Sequence, residues 1–532
     1  MRKIRQFCES SLFSNSESSE KTKIWKWFPR LMALGFAMRL VVALTCDCHA
    51  YADEVMNYLE QAHRVVFGYG FIPWEYRFGV RSWLIPAIPA LPLWLSKTAG
   101  LDSPSFYVPF VYSFNALISM AIPAGMYFFT RRAVSENAAR YALVFGLFWY
   151  ELIAFAPRAL AEPYATAAFF GALALMSRKN GKKIFITGLL LGLTATLRWQ
   201  YAPVAGAAGL MWLISIDDGR KAAVTGGILS IAIWGVVDFF TWGQFFHSVT
   251  MMLQISTVFQ TLEFFASHTT PWHKGIVWLV TASLGVHLIS LAGVAKRQRL
   301  FFPVFAALLV LSVHMLPEGI EYRNIFIVIP LSLMAAGGFA GLTGGRTRII
   351  ACGLFLCISL TGLLGKLPKM ELALGDYTRY INASTTPGIS AAKQLSQLPS
   401  AQVRGVLWLA GNQIFSGGYF YLHKNIPSYF MADPQDRAIV SEHLNSGGKL
   451  NTVATHIISP QPVSRLEGFE ERGGIPGWPG WRIYENKNPK TVRRLAGFYY
   501  DTFDPNWMNI GRRAKEAGIE TDPLPLTPYK KQ

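Results

Sequence analysis

Long apolar runs recur along the first two thirds of the chain, and they limit its possible folds more than any other feature. A helix needs about 20 apolar residues to cross the hydrocarbon core of a bilayer. Hydrophobic residues make up 52% of the 532 residues and charged residues only 15%, whereas soluble domains carry about 25% charged residues. We therefore predict an all-α polytopic membrane protein with about eleven spans. The spans are expected near 31–47, 105–130, 140–156, 159–176, 184–200, 201–216, 222–241, 275–295, 300–315, 324–343 and 348–365.

The basic residues predict the orientation of these spans. The net charge is +18, and if the N-terminal segment 1–30 is cytoplasmic, every second loop is basic, as the positive-inside rule requires. Because the Lys and Arg residues lie in these short loops, their excess indicates membrane orientation, and no nucleic acid is expected as a partner. The basic loops contain Arg131-Arg132, Arg178-Lys179 with Lys182-Lys183, Arg220-Lys221, Lys296-Arg297 with Arg299, and Arg346 with Arg348.

The chain changes character after residue 365. We predict a transmembrane domain over 31–365 and a non-cytoplasmic C-terminal domain over 366–532. This tail is rich in Gly and Pro and contains short strand-like pieces at 405–409 and 453–458. Such a pattern is typical of a small soluble α/β or α+β domain.

The first outer loop, 48–104, holds the acidic pair Asp53-Glu54 directly after the first span. Residues 53–67 predict a short amphipathic helix at the membrane interface, and the Pro-containing piece 83–94 is expected to be broken. A sugar transfer to an alcohol needs a base for the hydroxyl proton. Asp53 is our candidate base and Glu54 the next choice. The alternative is that both are ordinary solvated loop charges.

Three arginines lie at the predicted outer ends of spans: Arg158, Arg198 and Arg323. The guanidinium group donates two parallel hydrogen bonds to a phosphate, so these residues, with Gln200 beside Arg198, are candidates for a shared anionic site. For each arginine taken alone, an interfacial side chain or an ion pair with Glu162 or Glu321 explains the sequence more simply, and the argument for an anionic site is that three of them lie on one face.

Outer-loop aromatic and histidine residues complete the candidate site. Trp74 and Trp272 suit the headgroup level or a sugar ring, His273 could hydrogen-bond a phosphate, and His314 ends a span. Each has a structural alternative, as a belt aromatic, a solvated histidine or a buried one. We predict no metal site, since the sequence has no His/Cys cluster and no D-x-D motif of the kind that holds a nucleotide-sugar donor through a metal.

The first outer loop closely resembles the signature of glycosyltransferase family 22. The family begins with H-P-D-E, and here the acids match as Asp53 and Glu54, but Tyr51 and Ala52 replace His and Pro. Weaker likenesses occur in PRALAEP, around Arg158, and in HMLPEGIEYRNIF, around Arg323. The further matches in the first loop are Glu60, His63, Phe67, Gly68, Gly70, Trp74, Glu75, Arg81, Ser82 and Pro86.

This resemblance implies a GT-C fold, a multi-span helical bundle that works at the outer leaflet. It implies a mannosyltransferase that inverts the anomeric carbon without a metal, using dolichyl- or another polyprenyl-phosphate mannose and no further cofactor. Asp53 would be the base, and Arg198 or Arg323 would meet the donor phosphate. The expected partners are this donor, a glycolipid or glycan acceptor and membrane lipids.

Two other functions fit the same sequence. One is a GT-C enzyme with another lipid-linked sugar, and the other is a transporter of lipid-linked glycans. A transporter should carry its ionisable residues near the bilayer midplane, whereas here they lie at span ends, and the intact acidic pair argues against an inactive scaffold. The departure from H-P-D-E favours a bacterial inner membrane, with the endoplasmic reticulum membrane as the alternative, and the active site is expected on the non-cytoplasmic side.

Overall fold

The computed structural model of the chain describes most residues before 364 and most of 387–495. The described residues are 2–13, 24–45, 49, 51, 53–216, 218–260, 276–277, 279–280, 283, 285–294, 298–315, 322–363, 387–411, 413–464, 466–489, 492–493 and 495. By their internal contacts they form two compact units. The first unit comprises 1–45, 112–236 and 262–382, and the second comprises 46–111, 237–261 and 383–532.

Helices make up nearly all of the described part before residue 364. They are α1 (Arg2–Leu12), α2 (Phe28–Thr45), α3 (Glu60–Phe67), α4 (Trp74–Arg77), α5 (Leu84–Thr98), α6 (Pro104–Ser119), α7 (Ala121–Ala133), α8 (Glu136–Phe148), α9 (Tyr150–Ala154), α10 (Ala161–Leu175), α11 (Gly181–Leu197), α12 (Ala202–Ser215), α13 (Arg220–Trp242), α14 (His247–Gln260), α15 (Val286–Val294), α16 (Phe301–Met315), α17 (Val328–Leu342) and α18 (Gly345–Leu363). A π-helical turn, Glu54–Leu59, precedes α3, and short 3-10 turns occupy Trp199–Tyr201, Gln298–Leu300 and Tyr322–Ile325.

Every predicted span contains at least one of these helices. Within the described residues, four helical stretches are long and apolar enough to cross a membrane: Phe28–Thr45, Pro104–Ala133, Arg220–Trp242 and Gly345–Leu363. Other apolar helices, such as α16 and α17, are shorter. The helical membrane character is therefore confirmed, while the count of about eleven spans stays a prediction.

Small residues allow the helices of the first unit to approach one another closely. A Cβ atom added at Gly337 or Gly341 of α17 would stand 2.6 Å from the Cα of Ala142 or 2.3 Å from that of Ala138, both in α8. Small residues four apart produce such contacts between membrane helices. Larger side chains at these positions would separate the two helices.

A buried arginine joins α2 to the end of α8. Arg39 is 1% exposed, and its guanidinium donates to the carbonyl oxygens of Gly35 at 3.0 Å, Leu147 at 2.9 Å and Gly146 at 3.0 Å. The last carbonyl groups of a helix have no partner within the helix, and a positive charge is favourable at this end. Arg39 thus donates hydrogen bonds to backbone carbonyl groups that the surrounding apolar side chains cannot serve.

Three sequence expectations about helices need correction. The piece 83–94 is not broken, because α5 runs unbroken with Pro89 and Pro92 inside it and both prolines on its buried side. The predicted span 140–156 is interrupted at Trp149, whose extended backbone separates α8 from α9. The helix over 53–67 exists as the π-helical turn and α3, but it has no exposed polar face of the kind expected, since Asn57 and Glu60 are as buried as its apolar residues.

The second unit contains a five-stranded sheet with strand order β2-β1-β3-β5-β4. Its strands are β1 (Val406–Trp408), β2 (Ser428–Phe430), β3 (His456–Ser459), β4 (Phe469–Ile475) and β5 (Trp478–Asn486), and its helices in the tail are α19 (Pro387–Gln397), α20 (Gln413–Ser416), α21 (Gly418–Leu422) and α22 (Pro434–Asn445). Strands β2, β1 and β3 are parallel, and β5 pairs antiparallel with β3 and β4. The predicted strand pieces at 405–409 and 453–458 correspond to β1 and β3.

The sheet packs on the helices of the tail through an apolar core. This core includes Leu407, Tyr429, Val440, Ile457 and Tyr484. The domain boundaries near 30 and 365 stay predictions. The internal contacts assign the first outer loop and the tail to the same unit, the second.

Candidate active site

The predicted base Asp53 lies in the second unit, directly before the π-helical turn. Its Oδ1 accepts a hydrogen bond from Nδ2 of Asn57 at 3.1 Å, and its Oδ2 is 3.8 Å from Nη2 of Arg81. The Asp53 side chain is 24% exposed, whereas Glu54 is completely buried. Of the two predicted carboxylates, only Asp53 can therefore meet a substrate without rearrangement.

A second carboxylate, which the sequence analysis did not place among the site residues, lies beside Asp53. Oε1 of Glu75 accepts a hydrogen bond from the same Nδ2 of Asn57 at 3.0 Å. Burial raises the pKa of Glu75 to about 7, with Arg81 acting in the opposite direction and the charge of Asp53 adding to the rise. The only sequence signal was its match to the family motif. The neighbouring Trp74 begins α4, and its side chain lies outside the described part.

Helix α13 and its continuation hold the segment that carries Arg81. Nε1 of Trp242 donates to the backbone oxygen of Arg81 at 3.2 Å, and the rings of Trp83 and Trp242 lie 6.3 Å apart. The carboxylate of Asp238 accepts from the backbone nitrogen of Ser248 at 3.0 Å, which joins the end of α13 to α14. These contacts fix the backbone beside Asp53 from outside the first loop.

The buried carboxylate of Glu60 binds three backbone N–H groups. Its Oε1 accepts from Phe71 at 2.7 Å and from Tyr419 at 3.2 Å, and its Oε2 accepts from Phe420 at 2.9 Å. Burial nevertheless raises its pKa to about 7, since desolvation outweighs these hydrogen bonds. Glu60 therefore attaches the first loop to the start of α21 in the tail.

His63, one helical turn after Glu60, makes a second attachment to the same part of the tail. Its Nε2 is 3.0 Å from Nδ1 of His423, and its Nδ1 is 3.1 Å from the backbone oxygen of Tyr69. Burial lowers the pKa of His63 well below its ordinary value and that of His423 to about 4. The pair is thus neutral at pH 7, one ring donating and the other accepting. The ring of Phe67 packs 4.6 Å from that of His423.

Local backbone geometry explains why glycine occupies two positions of the motif. Gly68 ends α3 in the left-handed conformation, with φ of 85°, which favours glycine. Gly70 has φ of 151°, and a Cβ there would stand 2.4 Å from the Cγ of Arg64. The E-x-x-H-x-x-x-F-G-x-G part of the motif is therefore explained by the attachment of loop to tail.

Two of the three predicted arginines meet in the first unit, on the carboxylate of Glu162. Oε1 of Glu162 is 3.2 Å from Nη2 of Arg198 and 3.9 Å from Nε of Arg323. Nη2 of Arg198 also donates to Oδ1 of Asn324 at 2.7 Å. Glu162 is completely buried and lies in the first turn of α10, where a negative charge is favourable. We call this group of two guanidinium groups and one carboxylate the arginine cluster.

The remaining predicted residues are distributed more widely. Arg158 lies in the buried turn before α10 and is 2% exposed, and Gln200 is half-buried in the 3-10 turn after α11. His314 is in the last turn of α16, and its side chain lies outside the described part. Trp272 and His273 lie outside the described residues altogether. Arg158, Gln200 and His314 belong to the first unit, and Asp53 and Trp74 belong to the second.

Several curated relatives are similar to the chain over more than half of its length. Mannosyltransferase APTG1 of Arabidopsis thaliana is 23% identical over 331 residues, 58% of this chain and 58% of its own length. GPI mannosyltransferase 3 of Trypanosoma brucei brucei is 24% identical over 383 residues, with 60% and 66% covered. The Candida albicans GPI mannosyltransferase 3 is 25% identical over 373 residues, with 68% and 73% covered. The chain thus spans less than two thirds of the length of the first two relatives.

The structural comparison adds the fold. A crystal structure of ArnT from Cupriavidus metallidurans bound to undecaprenyl phosphate is similar with a TM-score of 0.55 at 11% identity, covering 88% of this chain and 99% of that one. This similarity confirms the expected GT-C class, in the sense of a helical membrane protein with a small sheet, and leaves the number of spans a prediction. The family of Alg9-like mannosyltransferases has a sequence model that matches residues 31–376, about two thirds of the chain. The chain therefore belongs to the Alg9-like mannosyltransferase family.

Proposed function

We propose that the protein is a mannosyltransferase that moves mannose from a polyprenyl-phosphate donor to a glycolipid or glycan acceptor, with inversion of the anomeric carbon. The observation that carries the proposal is Asp53, a partly exposed carboxylate held by Asn57 and Arg81 in a chain of this family. Support for the donor class comes from ArnT, a protein of similar fold that binds undecaprenyl phosphate.

Asp53 acts as the general base in this scheme. The acceptor hydroxyl attacks the anomeric carbon from the side opposite the phosphate, the new carbon–oxygen bond forms as the bond to the phosphate oxygen breaks, and the hydroxyl proton passes to Asp53. The phosphate leaves with the bonding electrons. It is already a good leaving group, so the scheme uses hydrogen bonds and positive charge instead of a metal ion.

The arginine cluster is our candidate for the donor phosphate. Arg198 and Arg323 converge on the carboxylate of Glu162, and guanidinium groups placed together in this way can donate hydrogen bonds to an anion. Buried ion pairs of this kind persist only when each charge has a partner. A phosphate therefore adds a second acceptor to two guanidinium groups that already converge. Arg158, Gln200, His273, His314, Trp74 and Trp272 remain candidates for the rest of the donor site.

The relatives suggest the acceptor and the membrane. Because several are named GPI mannosyltransferases, a mannose-bearing glycosylphosphatidylinositol is the first acceptor to try. Their eukaryotic sources favour the endoplasmic reticulum, whereas Tyr51 and Ala52 in place of His and Pro favour a bacterial inner membrane. In both membranes the charge pattern of the loops favours a non-cytoplasmic position for Asp53.

The proposal is tested with purified protein in detergent. The donor is polyprenyl-phosphate [3H]mannose, with arabinose and glucose donors in parallel, and the acceptor is a lipid extract from membranes of a strain lacking this protein. Asp53→Asn should lower kcat at least about 100-fold, because a positioned base contributes about 10²–10⁴. Asp102→Asn, a change of an exposed acid in the same loop, should leave kcat unchanged. Near-normal transfer by Asp53→Asn would remove Asp53 as the base, and absence of mannose transfer by the wild type would overturn the function.

A further inference from the structure

The carboxylate of Glu75 has no role in the proposed scheme, although the fold brings it close to Asp53. Glu75 is 8% exposed and Asn57 1%. One amide nitrogen, Nδ2 of Asn57, is 3.1 Å from Asp53 Oδ1 and 3.0 Å from Glu75 Oε1. Ionised carboxylates accept hydrogen bonds but cannot donate them. The two acids are therefore joined through the two N–H bonds of a single amide.

The backbone fixes this bridge from both sides. The π-helical turn Glu54–Leu59 follows Asp53, and such turns are rare and occur often at functional sites. On the other side, the Tyr76 hydroxyl donates to the backbone oxygen of Asn57 at 2.9 Å. Because Tyr76 follows Glu75 in α4, this hydrogen bond holds the helix that carries Glu75 against the turn that carries Asn57.

A guanidinium group lies beside the bridge. Nη2 of Arg81 is 3.8 Å from Asp53 Oδ2. Burial raises the pKa of Glu75, the charge of Arg81 lowers it and the charge of Asp53 raises it. Because neighbouring acids influence each other's protonation, removing one changes how readily the other takes up a proton.

We propose that Glu75 is a positioning residue for Asp53: through Asn57 it fixes the direction of the Asp53 carboxylate, and its negative charge strengthens Asp53 as a proton acceptor. This inference rests on the proposed role of Asp53 as the base. Glu75 touches neither substrate nor reacting atoms, and the proton of the acceptor hydroxyl ends on Asp53. Asp53 is partly exposed, and a carboxylate with a fixed direction is a better base than one that rotates.

The test is the pH dependence of mannose transfer by Glu75→Gln, measured with the donor and lipid extract described above. Glutamine keeps the size and one acceptor oxygen but removes the charge. Above pH 7, where Glu75 is ionised, we expect kcat of Glu75→Gln to be about tenfold lower than that of the wild type. Below pH 7 the two profiles should converge, because protonated Glu75 resembles glutamine, and the donor KM should stay unchanged throughout. Glu442→Gln, an exposed glutamate in α22, should reproduce the wild-type profile.

A second variant separates positioning from folding. Asn57→Ala breaks the bridge but leaves both carboxylates, so kcat should fall while the donor KM is unchanged. If Glu75→Gln does not fold, this result alone decides. A wild-type kcat above pH 7 in Glu75→Gln, or a wild-type kcat in Asn57→Ala, would overturn the positioning role. Asp53→Asn, measured in parallel, distinguishes that outcome from failure of the base assignment, which an active Asp53→Asn enzyme would show. Failure of the proposed function would appear instead as absence of mannose transfer by the wild type.

Discussion

The buried carboxylate of Glu60 allows a sharp test of how burial and hydrogen bonding compete in this protein. Its pKa is raised to about 7 from an ordinary value of 4.5, so the folded state binds the proton more tightly than the unfolded state. The corresponding stability is full below pH 4.5 and is lost as the pH rises through 7. The shift corresponds to about 3 kcal/mol, since each pKa unit is worth about 1.4 kcal/mol.

Replacing Glu60 with Gln should remove this pH dependence. Glutamine has nearly the same shape but offers one acceptor oxygen, so it resembles the protonated glutamate. We expect Glu60→Gln to match the wild type at pH 5 and to be more stable at pH 8, by up to about 3 kcal/mol. This result would be unexpected for a carboxylate that accepts three backbone hydrogen bonds, and it follows only if desolvation outweighs them.

Hydrogen–deuterium exchange measures the effect where it arises. The reporters are the amides of Phe71, Tyr419 and Phe420, which donate to Glu60. Between pH 5 and 8, their protection factors, corrected for intrinsic exchange, should fall about 100-fold in the wild type and stay flat in Glu60→Gln. Glu442→Gln should behave as the wild type. Weaker protection in Glu60→Gln than in the wild type at pH 8 would refute the reasoning.

Two further predictions concern the first unit. Arg323→Ala should raise the donor KM at least about tenfold, since a charged hydrogen bond contributes about 1.5–3 kcal/mol, while Arg346→Ala, a change of an exposed arginine, should not; an unchanged KM would remove Arg323 from the phosphate site. Arg39→Met should lower Tm by several degrees, because the buried carbonyl groups of Gly146 and Leu147 lose their donor. A wild-type Tm would show that this arginine is dispensable.

Local patterns in the sequence predicted the features that depend on neighbouring residues. The apolar runs predicted where the membrane helices lie, and β-branched and aromatic pieces predicted β1 and β3. The break at Trp149 was missed because an extended residue between two apolar helices leaves no composition signal. The unbroken helix α5 was missed because a proline inside a helix is unfavourable, so the sequence alone predicts a break. In the structure, burial of the prolines compensates for this cost.

The candidate site was predicted less completely, because its decisive contacts join distant parts of the chain. Asp53 was chosen as the candidate base from its place after the first span, and Glu54 was the next choice, whereas Glu75 was named only as a match to the family motif. The hydrogen bond between Glu60 and Tyr419 joins residues 359 positions apart, and no periodic pattern in the sequence predicts it. For Arg198 and Arg323, pairing with Glu162 was one of the alternatives, and the structure makes it the common centre of both.

The turn that follows Asp53 has a consequence for the evolution and engineering of this loop. A π-helical turn holds one residue more than an α-helical turn. Deleting a single residue between 54 and 59 would let the segment close as an ordinary α-helix in which Asp53 and Glu60 nearly keep their directions. Side chains within the turn, Asn57 among them, would rotate by up to about 100° around the axis relative to Asp53. One codon lost here could therefore separate Asn57 from the acid without disrupting the helix that carries both.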